Sequence, residues 1–178
     1  MSPDPPLRSR CEVHQHHKAH APACVPCFVV TSSDTRDAHS DASGQLIHDL
    51  LVEAGHAVVG RRIVKDEPEQ LLEVLETDTV AAGARAVIIT GGTGLGSRDT
   101  TVETLLPRFE KRLDGFGELF RALSFEEIGS AAMMSRAVAG TYRQMIVFAL
   151  PGSPAAARLA LERLILPELG HAVHEMAR

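Results

Sequence analysis

One stretch decides the fold: Ala86-Val-Ile-Ile-Thr90-Gly-Gly-Thr93-Gly94-Leu-Gly96-Ser97-Arg98-Asp99-Thr100-Thr101-Val-Glu103. A short apolar run, rich in β-branched residues, ends in a segment with four glycines within six residues, and a polar segment then opens a helical pattern. The predicted order is strand, loop, helix. Glycines allow positive φ angles and let a ligand approach the main chain, while a helix start leaves N–H groups unpaired. Such a loop suits phosphate or another anion, although glycine loops also serve as simple tight turns.

The glycine spacing does not match the common nucleotide-binding motifs. Gly92, Gly94 and Gly96 give G-x-G-x-G, and Ser97 stands where a dinucleotide fingerprint has its third glycine. No Gly-Lys-Ser or Gly-Lys-Thr follows, as a P-loop requires. The spacing therefore disfavours a Rossmann dehydrogenase and a Walker-type ATPase.

Composition predicts one ordinary α/β domain. Of the 178 residues 44% are hydrophobic but only 4% aromatic, and there is no Trp. A net charge of −5 and the lack of a long Lys/Arg block argue against nucleic-acid binding. No apolar run approaches the roughly 20 residues of a membrane span, and the N-terminus lacks the apolar segment of a signal peptide. We therefore expect a cytoplasmic protein with no membrane association.

Residues 1–26 are rich in Pro, His and Ala and show no apolar periodicity, which predicts a flexible arm before a domain over residues 27–178. One reading of the arm is a small zinc knot. The reading that we favour is a polar tail whose last cysteine enters a strand, because only one CxxC is present and the His spacing fits no finger pattern. The side chains of zinc-ligand type are Cys11, His14, His16, His17, His20, Cys24 and Cys27.

The first half of the domain predicts a β-α-β-α-β order, with strands near Cys27–Ser32, at the two apolar runs Ala57–Val59 and Ile63–Val64, and near Ala86–Thr90. Short links imply right-handed crossovers and parallel strands, so the loops after the strands should meet at one edge of the sheet. Asp34, Asp66 and Asp99 all follow such strands, and we expect them to converge. Two local alternatives remain open.

These alternatives concern helix capping. Asp41 and Ser43 suit the start of a helix as well as a ligand site. Asp66, followed three residues later by Glu69 with a proline between, has the pattern of a capping box.

In the second half, a helix after Asp99 bends near Pro107, and residues 113–118 read as a turn before a short helix. We expect Met133 and Met134 to fill the core. A further strand, Gln144–Leu150, leads to Pro151-Gly-Ser-Pro154, where Ser153 fits an N-cap.

Taken together, these motifs resemble the MoaB/Mog family of molybdenum cofactor biosynthesis proteins, most closely its MoaB branch. The resemblance runs from about Val29 to the C-terminus, with mild departures at Leu95-Gly96-Ser97 and Thr100-Thr101-Val102, and the N-terminal arm lies outside the family pattern. The motifs that carry it are Thr90-Gly-Gly-Thr-Gly94, Arg98-Asp99-x-Thr101, Gly115-Phe-Gly-Glu118, Ser135-Arg136 and Leu150-Pro-Gly-Ser-Pro154, with Ser33-Asp34 and Asp41 in register.

The resemblance implies an α/β, three-layer molybdopterin-binding fold, with a mostly parallel central sheet flanked by helices, assembled as a homotrimer or homohexamer. It implies a molybdopterin adenylyltransferase that uses ATP and magnesium and works with other enzymes of molybdenum cofactor synthesis. Asp66 and Asp99 would be catalytic and hold magnesium. The residues implied to bind molybdopterin or nucleotide are Ser33, Asp34, Thr90, Gly91, Gly92, Thr93, Gly94, Glu118, Ser135, Arg136, Pro151, Gly152 and Ser153.

Two other functions remain open from the sequence. A non-catalytic protein that binds or delivers molybdopterin would share the fold, but the presence of both aspartates favours catalysis. A hydrolase of nucleotide-like substrates is a weaker reading, because no nucleophile or metal-triad signature is recognisable.

Overall fold

The computed structural model describes residues 22–178, so most of the predicted arm, with its candidate zinc ligands from Cys11 to His20, lies outside the described residues. A six-stranded sheet forms the centre, in the order β2-β1-β3-β6-β5-β4. The first three neighbouring pairs in that order are parallel and the last two pairs are antiparallel, so β5 runs opposite to the other five strands, which confirms the mostly parallel α/β sheet. The strands are β1 Pro26–Ser32, β2 Ala57–Val64, β3 Ala86–Thr90, β4 Lys111–Arg112, β5 Val138–Tyr142 and β6 Met145–Leu150.

Helices cover both faces of this sheet. Two of them run into five-residue π turns, Val74–Asp78 and Leu161–Ile165, and two 3₁₀ segments, Leu106–Arg108 and Gly129–Met134, extend others. Among residues 22–178 no helix is both long and apolar enough to span a membrane. The helices are α1 Ala42–Glu53, α2 Pro68–Glu73, α3 Thr79–Ala81, α4 Thr101–Leu105, α5 Asp114–Ile128, α6 Pro154–Ala160 and α7 Leu166–Met176.

The burial of strand β3 shows why the fold has three layers, with helices on each face of one sheet. All five of its residues are buried, as expected for a strand covered on both faces. Ile88 packs into a cluster with α1, α5, α6 and α7, whereas Val87 and Ile89 pack into a second cluster with α2 and α4. Alternate side chains of one strand thus supply two cores, one on each side of the sheet.

The start of α5 differs from the sequence-based prediction. Residues 113–118 are not a turn, because α5 begins at Asp114 and continues for 15 residues. Phe116 and Phe120, one turn apart, are buried, and this packing outweighs the low helix propensity of the glycines around them. Gly117 allows a close approach, because a Cβ there would lie 2.7 Å from the Ala137 carbonyl oxygen.

The antiparallel end of the sheet was not predicted. β5 and β6 form a hairpin whose turn residues, Arg143 and Gln144, have positive φ angles of 45° and 61°. Such turns usually carry Asn-Gly or Asp-Gly, so the usual hairpin signal is missing from the sequence. β4 has only two residues, too few for a recognisable alternation.

The outer strand β2 is continuous over eight residues, including the segment between the two apolar runs seen in the sequence. Gly60 leaves room for the Phe28 ring, which a Cβ at that position would overlap. The next two side chains reach opposite faces: Arg61 donates to Gln45 at 2.6 Å, and Arg62 donates to Asp78 at 2.6 Å. These bonds join the outermost strand to structure on both faces of the sheet.

At the N-terminal end of the described chain, Cys27 lies in β1, which confirms the predicted strand. Its thiol donates to the Val25 carbonyl at 3.3 Å, and burial, together with the nearby Cys24, raises the pKa of Cys27 to about 12. Cys24 is exposed. The thiol of Cys27 is therefore protonated at neutral pH, an unreactive form.

Candidate functional site

A cavity of about 580 Å³, the first cavity, lies at the carboxyl ends of the parallel strands. Loops that follow β1, β2, β3 and β6 contribute to its wall. Asp66 and Asp99, 33 residues apart in the chain, both line it, which confirms that they converge. The predicted site residues in its wall are Ser33, Asp66, Thr90, Gly91, Gly92, Thr93, Gly94, Asp99, Ser135, Arg136, Pro151, Gly152 and Ser153.

The glycine loop, residues 91–94, has a backbone that requires glycine. Gly91 and Gly92 have φ angles of 98° and 62°. The Thr101 amide donates to the Gly92 carbonyl at 2.9 Å, and the Thr101 hydroxyl donates to the Gly91 carbonyl at 3.1 Å. A Cβ on Gly92 would collide with the Thr101 hydroxyl and lie 2.7 Å from Asp66 Oδ1. The first turn of α4 thus fixes the loop against the carboxylate.

Three successive amides of this loop are available to a ligand. The N–H of Gly91 donates to the Leu150 carbonyl at 3.0 Å. The N–H groups of Gly92, Thr93 and Gly94, in contrast, have no acceptor among residues 22–178. Consecutive unpaired amides in a loop with positive φ angles form a concave anion site. The geometry therefore supports the anion-binding loop that the sequence suggested.

Asp66 lies beside the glycine loop and does not cap a helix. The N-cap of α2 is Glu67, which makes no side-chain capping bond, so the capping box predicted for Asp66 is wrong. Instead, the Ser32 hydroxyl donates to Asp66 Oδ1 at 2.8 Å. The Asp66 amide donates to Asp34 Oδ1 at 3.3 Å. The last residue of β1 thus orients the Asp66 carboxylate, and Asp34 in the following loop holds the Asp66 backbone.

Asp99 contacts the same loop at Gly94, two residues beyond the glycine that adjoins Asp66. Its Oδ2 accepts from the Gly96 amide at 2.8 Å, while its own amide donates to the Gly96 carbonyl at 3.0 Å. A Cβ on Gly94 would lie 2.8 Å from Asp99 Oδ2, so the carboxylate lies directly against the glycine backbone. The loop that carries the unpaired amides is thus in contact with Asp66 at Gly92 and with Asp99 at Gly94.

Asp34 lies outside the wall of the first cavity but connects its loops. Arg98 donates to both carboxylate oxygens, from Nε and Nη2, at 3.0 Å each. These hydrogen bonds lower the pKa of Asp34 and raise the pKa of Arg98. Arg98 also lies 3.8 Å from Glu67, so it connects the loop after β3 to the loops after β1 and β2.

Arg136 lines the cavity and braces the glycine loop from outside. Its Nε donates to the Thr93 carbonyl at 3.0 Å, and its Nη1 and Nη2 donate to the two oxygens of Glu103 at 2.7 Å each. The paired guanidinium lowers the pKa of Glu103 and Glu103 raises that of Arg136. The neighbouring Ser135 hydroxyl oxygen is buried and has no hydrogen-bond partner among residues 22–178. A buried hydroxyl without a partner is unusual in a native protein.

Arg36 and Ser43 hold the loop after β6. The Gly152 carbonyl accepts from Arg36 Nη2 and from the Ser43 hydroxyl, both at 2.8 Å. Asp41 is 3% exposed and caps α1 by accepting from the Gly44 amide at 2.9 Å. For Asp41 the capping alternative is confirmed, whereas Ser43 acts by positioning Gly152.

Four residues named in the sequence analysis remain: Ser153, Glu118, Met133 and Met134. Ser153 accepts from the Ala156 amide at 3.2 Å, which confirms it as the N-cap of α6. Glu118 is exposed on α5 and does not line the cavity. Met133 and Met134 are 81% and 54% exposed, so the prediction that they fill the core is wrong.

Sequence reasoning missed several residues of the wall. Arg36 is one, although a basic residue in the loop after β1 was a usable signal. The apolar side of the cavity comes from the 3₁₀ segment Gly129–Met134 and from α5, whose first residues were predicted as a turn and whose next residues as only a short helix. The apolar residues there are Phe120, Ile128, Ala131 and Met134. No group of three or more His, Cys, Asp or Glu side chains suited to a metal occurs among residues 22–178.

The chain matches one protein family along most of its length. The family described as "Probable molybdopterin binding domain" matches residues 28–171. Molybdenum cofactor biosynthesis protein B of Bacillus cereus is 48% identical over 163 residues, covering 91% of this chain and 96% of the relative. The protein of the same name from Bacillus subtilis is 47% identical over 165 residues, covering 92% and 97%.

Solved structures agree with the sequence matches. A crystal structure of Molybdenum cofactor biosynthesis protein B superposes with a TM-score of 0.85 at 48% identity, covering 89% of this chain and 99% of the other. The tungsten cofactor synthesizing protein MoaB from Pyrococcus furiosus gives a TM-score of 0.80 at 38% identity, covering 89% and 100%. The fold is thus of the molybdopterin-binding class. The chain belongs to the MoaB/Mog family of molybdenum cofactor biosynthesis proteins.

Proposed function

We propose that this protein adenylylates molybdopterin in the first cavity. The terminal phosphate oxygen of molybdopterin attacks the α-phosphorus of ATP, the bond to the bridging oxygen breaks, and pyrophosphate leaves with its electron pair. The observation that carries the proposal is that the three unpaired amides of Gly92, Thr93 and Gly94 share one cavity with the carboxylates of Asp66, which adjoins Gly92, and Asp99, which adjoins Gly94. Phosphoryl and adenylyl transfer depend mainly on positioning and charge neutralisation, and this arrangement offers both.

The carboxylates fit a magnesium ion that travels with the nucleotide. Magnesium in proteins is often held by one or two carboxylates, with the remaining oxygens from phosphate and water. Asp66 and Asp99 provide that number, and the chain offers no larger acidic cluster among residues 22–178 that would form a closed cage. When bound, the ion would neutralise charge on the phosphates.

The chain's own groups divide the remaining work. The three loop amides would donate to phosphate oxygens, and the glycines permit close approach of the main chain. Arg36 and Arg136 place positive charge in the same wall, which favours the polyphosphate. The apolar side, with Phe120 and Met134, suits a flat ring such as a pterin or adenine.

Binding without catalysis is the second candidate. One observation favours it: Asp66 Oδ1 accepts from Ser32 and Asp99 Oδ2 accepts from Gly96, so each carboxylate already has a partner within the protein. A binding or delivery protein needs the amides and the apolar wall but not the magnesium chemistry.

Purified protein incubated with ATP, magnesium and molybdopterin tests both candidates. We expect adenylylated molybdopterin and pyrophosphate from the wild type, and a loss of turnover of about 100-fold or more in Asp66→Asn and Asp99→Asn. Asp49→Asn is the control, because Asp49 is exposed on α1 and does not line the cavity. Full activity in both site variants would reject the assignment, and molybdopterin binding without ATP binding would establish the second candidate.

The predicted homotrimer or homohexamer also belongs to this proposal. Light scattering coupled to gel filtration measures the assembly, and the same experiment on Asp66→Asn and Asp99→Asn separates loss of chemistry from loss of structure. Work alongside other enzymes of molybdenum cofactor synthesis stays a prediction.

A further inference from the structure

A second cavity, of about 360 Å³, lies on the other side of Ser135 and Arg136, which line both cavities. Residues from α4, α5, the 3₁₀ segment after α5 and β5 surround it. Apart from Ser135 and Arg136, none of its lining residues belongs to the site described above. It is therefore a separate cavity that shares only Ser135 and Arg136 with the first.

Arg121 is the main charged group of the second cavity. It is half-buried on α5 and has no ion pair or hydrogen bond with any of residues 22–178. Gly117, one helical turn earlier, makes room for it, because a Cβ there would lie 3.0 Å and 3.1 Å from the two terminal guanidinium nitrogens. The missing side chain thus lets the guanidinium lie close to the helix backbone inside the cavity wall.

The balance of charge in this wall is positive. Three arginines line it, against one acidic residue, Asp114. Arg112 pairs with Asp114 at 2.7 Å, and Arg136 pairs with Glu103, which leaves the charge of Arg121 uncompensated. In a chain with a net charge of −5, a cavity with three arginines favours an anion. A guanidinium presents two parallel donors that match phosphate oxygens.

The shared wall adds a neutral donor. The Ser135 hydroxyl oxygen is fully buried yet has no hydrogen-bond partner among residues 22–178. Buried hydroxyls without partners are rare in native proteins, because losing hydration without a replacement bond is costly. Ser135 and Arg121 both line the second cavity, so an anionic ligand there would have a hydroxyl and a guanidinium in its wall.

We propose that the second cavity is a binding site for a phosphate group, held by Arg121 and Ser135. The phosphate group is either that of inorganic phosphate or that of a small phosphate ester. The opposite wall is apolar, with Val102, Leu106, Leu113 and Met133, and it offers a surface for the organic part of an ester.

Titration of the full-length protein with phenyl phosphate and with inorganic phosphate, at constant ionic strength, tests this proposal. The NMR signal of the Arg121 Nε–H group, identified by its absence from Arg121→Gln, reports binding at this place alone. Arg163→Gln is the matched control, because Arg163 is exposed on the second π turn, lies outside both cavities and makes the same change of charge. Circular dichroism checks that both variants are folded.

We expect the Arg121 signal to shift saturably, and Arg121→Gln to weaken the corresponding binding step by about tenfold or more while Arg163→Gln leaves it unchanged. Tighter binding of phenyl phosphate than of inorganic phosphate identifies an ester as the ligand, and equal binding identifies the free ion. A signal that does not move, or equal affinities in the two variants, overturns the proposal. Because adenylyl transfer is not measured, a failure here is distinct from a failure of the proposed function.

Discussion

Arg136 and Glu103 meet through two parallel hydrogen bonds of 2.7 Å, although 33 residues separate them in the chain. Because Arg136 also donates to the Thr93 carbonyl, the pair braces the glycine loop against α4. We predict that Glu103→Gln lowers kcat/KM for ATP about three- to tenfold, mainly through a higher KM, since the charge partner of the brace is lost. Steady-state kinetics of adenylyl transfer measure this effect.

The control for that variant is Glu162→Gln. Arg158 and Glu162 also meet at 2.7 Å, but on the exposed surface of one helical segment. Exposed pairs of this kind contribute little, so the kinetics of Glu162→Gln should match the wild type. Equal loss in both variants would contradict the bracing role of Glu103.

Gly92→Ala should abolish activity, and Gly55→Ala should not. Both glycines have positive φ angles, 62° and 84°, so each alanine costs about 1 to 2 kcal/mol of backbone strain. At Gly55 the added methyl group meets open space, whereas at Gly92 it meets the Thr101 hydroxyl and Asp66. Thermal unfolding and adenylyl transfer separate the two effects. An active Gly92→Ala variant would show that the loop is not fixed as described.

The free energy of unfolding at acid pH should depend on the ion pair between Asp34 and Arg98. The bridge lowers the pKa of Asp34 in the folded protein, so its contribution is present above the unfolded value of about 3.9 and is lost as pH falls through the folded pKa. We predict that Arg98→Gln returns the pKa of Asp34 toward its ordinary value. Carboxyl ¹³C titration by NMR measures this pKa directly, and the difference in stability between the two proteins should shrink below about pH 4. An unchanged Asp34 pKa in the variant would show that Arg98 does not control it.

Ile88→Ala should destabilise the fold by about 2 to 5 kcal/mol, because it leaves a cavity in the central strand. Ile88 is fully buried at the centre of one of the two cores. Val59→Ala, in the outer strand β2, is the comparison, since Val59 is 37% exposed and should cost clearly less. Denaturant unfolding gives both values, and similar costs would mean that the two strands are equally packed.

The parallel half of the fold was predictable because its signals are local. Each of β1, β3 and β6 is an apolar run that ends at a polar or glycine-rich loop, and short crossovers then fix the sheet edge where the loops meet. The strand order alone therefore places Asp66 and Asp99 at the same edge of the sheet. It could not exclude a capping role for Asp66, since the sequence pattern of a cap says nothing about a hydroxyl such as Ser32 in another strand.

The antiparallel half was not predictable for a different reason. Gly117 near the start of α5 acts through close packing against Ala137, and the Arg143–Gln144 turn holds positive φ angles without glycine or asparagine. Both features depend on contacts between segments that are distant in the chain or on strand pairing. The same holds for Glu103, whose role depends on Arg136, 33 residues away.

Strand β2 lies at one end of the strand order, and an unpaired strand edge can in principle recruit a strand from another molecule. Arg61 and Arg62 tie this strand to α1 and to the π turn after α2, and each is also paired with a carboxylate, Asp41 at 3.4 Å and Asp78 at 2.6 Å. A strand clamped from both faces cannot leave β1 without breaking both sets of contacts. The two arginines therefore make the outermost strand part of the same cooperative unit as the helices that cover the sheet.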